Sequence, residues 1–89
     1  MLYPFLTLED DTEIVHSDMD VNGFVDVCIE KPVNGGFHSA KCRLPDFRWV
    51  AVDGFTPSEI ANLQELLQRG KSLIMRYAKN GGFENASGF

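Results

Sequence analysis

The chain has 89 residues, 44% of them apolar, and a formal net charge of −5. That is one domain, small enough that a single core buries only about 60–65% of the unfolded surface and apolar enough to exclude disorder. Eight acids and no Lys or Arg fall in residues 1–30, against eight bases and five acids in residues 31–89, which works against nucleic-acid binding and favours a basic protein partner for the N-terminal half.

The opening "MLYPFLTLEDD" has neither a basic leader nor a long apolar run. It predicts no membrane association, a cytoplasmic location and two reduced cysteines. The segments "LYPFLTLE", "TEIVHSDM", "FVDVCIE" and "FHSAKCRL" read as strands, separated by the turn formers Asp10-Asp11, Asn22-Gly23 and Asn34-Gly35. Register follows from turn length, because a slip by one residue turns every side chain over. A two-residue turn at Asp10-Asp11 sets Leu6 opposite Val15 and Leu2 opposite Met19. A three-residue turn over Val21-Asn22-Gly23 sets Val15 opposite Ile29, Ser17 opposite Val27 and Met19 opposite Val25. A two-residue turn at Asn34-Gly35 sets Ile29 opposite Ala40, Val27 opposite Cys42 and Val25 opposite Leu44. The three turns agree on one apolar face.

"PDFRWVAVDGF" then supplies either a short fifth strand or an extended loop, with Trp49, Val52 and Phe55 closing the end of the core. Thr56-Pro57-Ser58-Glu59 is a capping box with proline at the first helical position, flanked by the staple pair Phe55 and Ile60. Ile60, Leu63, Leu67, Ile74 and Tyr77 form a helical stripe, widened by Leu66 and Leu73. The stripe keeps its phase across Gly70, so one long helix is expected, with a kink there as the variant reading. Arg69, Lys71, Arg76 and Lys79 suit its C-terminal dipole, and Asn80-Gly81-Gly82 ends it.

The expected fold is α+β: a four-stranded antiparallel meander, five-stranded if the bridge pairs, with one long C-terminal helix packed on one face. The parts are sheet over 1–54, helix over 56–80 and tail over 81–89. Gly81-Gly82 reverses the chain, so Phe83 is expected to pack back on the domain. One helix covers one face of a sheet. The same registers therefore leave Tyr3, Phe5, Ile14, His16, Phe24 and Cys28 on the outer face beside Asp18, Asp26, Lys41 and Arg43. A contiguous apolar group of that kind marks an interaction surface.

The segment "DMDVNGFVD" resembles the calcium-binding hairpins of the integrin-type β-propeller family and the first half of an EF-hand loop. Asp18, Asp20, Asn22, Gly23 and Asp26 fall at positions one, three, five, six and nine, and Phe24 offers a carbonyl at seven. The EF-hand pattern breaks at position twelve, which is Ile29, with Glu30 one residue late. His16, Cys28 and Lys41 are expected to form a cross-strand row, with Lys41 beside the Cys28 thiol. Cys42 points inward, so the two thiols cannot bridge. His38 lacks a partner at zinc spacing, and no nucleophile elbow or phosphate-cradling glycine loop appears.

The "TEIVHS" strand, the "GFTPSE" helix start and the "GGFENA" ending resemble small uncharacterised bacterial proteins with no assigned activity, and the likeness implies a bacterial origin. The resulting expectation is a non-enzymatic module that needs no cofactor. It binds a protein partner, basic in character, or a second copy of itself through the outer sheet face. A calcium-binding hairpin over Asp18–Asp26 is the alternative.

Overall fold

The computed structural model describes residues 1–80. Strands β1 (Leu2–Thr7), β2 (Glu13–Ser17), β3 (Val25–Val33), β4 (Gly36–Leu44) and β5 (Arg48–Asp53) precede helix α1 (Pro57–Lys79). The strands form one antiparallel sheet in the order β1-β2-β3-β4-β5, with α1 packed on one face. The bridge segment is thus a true strand, and the meander has five members. The expectation for the tail, with Phe83 and Phe89, lies outside the described residues.

The capping box forms as its residues require. The Glu59 amide donates to Thr56 Oγ1 at 3.2 Å and the Thr56 amide donates to Glu59 Oε1 at 2.8 Å. Helix α1 then runs unbroken through Gly70. A β-carbon at that position would stand 3.2 Å from Phe5 Cζ, so the missing side chain makes room for an aromatic ring from β1. Leu63, Leu67, Ile74 and Ala78 are buried on its inner stripe, against Ile14, Val25, Val27, Ile29, Ala40, Cys42 and Leu44 of the sheet. Each large aliphatic fully removed from water there contributes about 1.5–3 kcal/mol.

Two hairpins depart from their expected registers. Leu8 donates its amide to Thr12 O at 2.8 Å, so the first turn has three residues, with Asp11 left-handed at φ 68°. Asp10 Oδ1 accepts from the Thr12 amide at 3.0 Å and holds that shape. Leu6 therefore faces Ile14, and a bulge between Pro4 and Leu6 sets Tyr3 opposite His16 and Leu2 opposite Ser17. In the second hairpin, Ile14 pairs with Ile29 and His16 with Val27. Strand β2 is turned over relative to the expectation. The third register stands as expected, from Val25↔Leu44 through Val33↔Gly36.

The end of the core also differs in one member. Phe55 is buried and Trp49 donates Nε1–H to Gln64 Oε1 at 2.9 Å, but Val52 remains 47% exposed on the edge strand. Among the described residues no helix is long and apolar enough to cross a membrane.

Candidate functional site

The turned-over β2 redistributes the expected surface group. Ile14 and His16 are fully buried on the helix side. Tyr3 follows them, its ring 5.6 Å from the His16 ring. Phe5 also points to the helix, edge-on to Tyr77 at 6.3 Å. These four residues belong to the inner layer and form no interaction patch; only Phe24 and Cys28 of the expected group remain on the outer side. The reason is local: Ile14 and Val15 are adjacent aliphatics, so either parity of β2 sends one of them inward.

His16 is held without solvent. Its Nδ1–H donates to the Ser17 carbonyl at 2.9 Å, while Nε2 is buried with no partner among the described residues. The row His16–Cys28–Lys41 therefore does not form. Val15 takes the place of His16 opposite Cys28, and Lys41 stands on the other side as expected. Burial is the largest effect on the Cys28 thiol and pushes its pKa up, with Lys41 acting in the opposite sense. Cys42, inside the core, is pushed up to about 11 by burial. Both are free thiols. At high dilution Cys28 is expected to react with a maleimide in the native protein, and faster as the pH rises above neutrality, whereas Cys42 reacts only after denaturation. Equal native rates would place both thiols on one face, which the register forbids.

The calcium-loop carboxylates have separate partners. Asp20 Oδ1 accepts from the amides of Asn22 at 2.8 Å and Phe24 at 2.9 Å, and so shapes its own loop. Asp26 accepts from Arg43 Nε at 3.0 Å, the pairing expected from register. That bond raises the Arg43 pKa. Asp18 lies 3.8 Å from the N-terminal amine, and its hydrogen bond with Tyr3 raises the tyrosine pKa. Asn22 and Phe24 meet Asp20 through their backbone amides. Among the described residues, no three His, Cys, Asp or Glu side chains converge as metal ligands do.

What the pairing does assemble is an ordered outer face. One cross-strand row is Thr7–Glu13–Glu30–Ser39–Asp53. The next is Pro4–Val15–Cys28–Lys41–Ala51. The third is Leu2 with Ser17, whose Oγ accepts from the Asp26 amide at 2.9 Å, then Asp26–Arg43–Arg48. The first row carries acids and no base, the third carries Arg43 and Arg48 together with Asp26, which Arg43 bridges, and a mostly uncharged row lies between. Arg43 also sits over the Phe24 ring, 5.7 Å from its centroid. Like charges stand directly opposite at both ends, Glu13 against Glu30 and Arg43 against Arg48.

Glu13, Glu30, Asp53 and Arg48 were not among the sequence candidates. Their signal was available in the secure β3–β4 register, which fixes Glu30 and Arg43 on the outer side, but β2 parity was needed to add Glu13. On the helix side, Lys31 lies 3.6 Å from Asp10 and 3.3 Å from Glu59, tying the first turn to the start of α1. The hollow beside this bridge holds about 170 Å³, less than a typical small-molecule site.

No protein family, curated protein or solved structure matches the chain.

Proposed function

We propose that the chain is a non-enzymatic interaction module that docks a protein partner through the outer face of its sheet. The observation that carries this reading is the Glu13–Glu30 pair. Two carboxylates directly opposed across strands cost about 0.2–1 kcal/mol, and neither has an ion-pair partner among the described residues, whereas Asp26 on the same face is bridged by Arg43. A partner bringing basic groups to this end offsets that repulsion, and the mostly uncharged row next to it supplies area that can be dried. The overall charge of −5 favours the approach of such a partner. Helix α1 is the weaker alternative, since its large aliphatics already face the sheet.

The test is site-specific cross-linking in cells. A photoreactive residue at position 51, exposed on the outer face, is expected to capture a protein; the same group at position 69, on the solvent side of α1, is expected to capture none. Capture at 69 and not at 51 would move the interaction surface to the helix.

A further inference from the structure

We propose that the docked partner anchors an arginine side chain in the hollow at the Phe37 end of the outer face. This rests on the docking reading above and names the group that the face recognises. The hollow holds about 260 Å³ and is lined by Thr7, Asp11, Glu13, Glu30, Pro32 and Phe37. It lies where the β1–β2 turn and the β3–β4 turn reach the same end of the sheet.

Phe37 sets this place apart from a merely acidic surface. It is 63% exposed and is the one exposed aromatic ring among the described residues. Strand parity puts it there. β4 sends Ala40, Cys42 and Leu44 into the core, so Phe37 points to the outer side opposite Pro32, with Glu30 as its diagonal neighbour on β3.

The other end of the same face shows what a carboxylate and a ring accept together. Arg43 donates to Asp26 at 3.0 Å and lies over the Phe24 ring, 5.7 Å from its centroid. One guanidinium thus satisfies both groups. At the Phe37 end the same two kinds of group recur. There Asp11, Glu13 and Glu30 have no ion-pair partner among the described residues. Lys31, next to Glu30 in sequence, is held by Asp10 and Glu59 on the helix side.

The spacing of the acids selects the kind of cation. They line the hollow without converging as metal ligands do, which serves a compact charge poorly. A guanidinium is planar, donates through five N–H groups to separated acceptors and stacks on an aromatic face. Arginine is also enriched at protein interfaces, where lysine is depleted.

The experiment is an NMR titration of the full chain with the blocked peptide acetyl-Gly-Arg-Gly-amide, beside its lysine and citrulline counterparts. The arginine peptide is expected to shift the Phe37 ring and the Glu13 and Glu30 amides. Lysine is expected to bind about threefold more weakly, and citrulline, which keeps the shape and loses the charge, to give no saturable shift. Phe37→Leu is expected to weaken arginine binding about threefold, which brings it level with lysine. Glu30→Gln is expected to weaken both about threefold, with no fall in melting temperature, because it also relieves the opposition to Glu13. Equal affinity of the wild type for arginine and lysine overturns the arginine anchor. So do shifts spread equally to distant acids such as Glu65, or no shift up to about 50 mM peptide. The docking reading is decided separately. Capture at position 51 that is unchanged by Phe37→Leu and Glu30→Gln keeps the outer face as the docking surface and removes arginine as its anchor; capture reduced by both supports the anchor.

Discussion

Replacing Gly54 with alanine is expected to destabilise the fold by about 3 kcal/mol and to lower the melting temperature by on the order of 15 °C. Two costs combine. Gly54 sits at φ +95°, where a side chain costs about 1–2 kcal/mol. A β-carbon there would also overlap the His38 imidazole, which is pinned edge-on against Phe55 with the centroids 5.8 Å apart. The costs can be separated. In a His38→Ala background the same glycine substitution is expected to lose only the backbone part, about 1–2 kcal/mol. An identical loss in both backgrounds would show that the ring does not constrain this turn. The position matters because Gly54 joins the edge strand β5 to the residue that staples the start of α1.

Leu67→Ala is expected to cost about 2–5 kcal/mol, from lost transfer energy and the cavity left behind. Leu67 is fully buried between α1 and the sheet. A domain of this length has a total stability of about 4–13 kcal/mol, so the variant approaches or reaches partial unfolding at ambient temperature. Val50→Ala removes an aliphatic side chain that is 44% exposed on the edge strand, and is expected to change stability by less than about 0.5 kcal/mol. Urea titration with an unchanged m-value is the measurement. Comparable losses at the two positions would contradict the burial of Leu67 and the exposure of Val50.

The readable parts of the sequence were those where several local signals bear on one geometry. Thr56, Pro57, Glu59 and the Phe55–Ile60 pair all specify the same helix start, and that start is observed. Asn34-Gly35 specifies a two-residue turn, and every pair from Val25↔Leu44 to Val33↔Gly36 follows from it. The unreadable part was the parity of β2. Turn residues there use their own carboxylates to set loop length: Asp10 accepts from Thr12, and Asp20 accepts from Asn22 and Phe24. The Asp10 bond lengthens the first turn to three residues, whereas the second closes over Val21-Asn22-Gly23 as expected and the β2–β3 pairs run one residue out of step with it. The sequence "IV" at Ile14-Val15 tolerates either outcome.

This single parity accounts for most of the difference in the candidate surface. Asp26, Cys28, Lys41 and Arg43 depend only on the β3–β4 register and lie where expected. Ile14 and His16 depend on β2, and Tyr3 on β2 together with the bulge at Phe5, so all three moved to the core side. The acidic row became visible only once Glu13 had taken its place opposite Glu30.

The meander order sets the sequence of events on the way to the native state. Each strand pairs with its immediate predecessor, so the sheet assembles through hairpins whose loops close at small entropic cost. The contacts of α1 with the first strands are of another kind. Phe5 meets Tyr77 across more than 70 residues, and the Met19 amide donates to the Ala78 carbonyl at 3.3 Å. Such closures carry the larger entropic cost, so helix docking is expected to follow the hairpins on the folding route. A substitution confined to the docked stripe of α1 then acts chiefly by hastening unfolding, while one in the Asn34-Gly35 turn slows refolding. A chain whose helix has not docked would show both faces of its sheet to water.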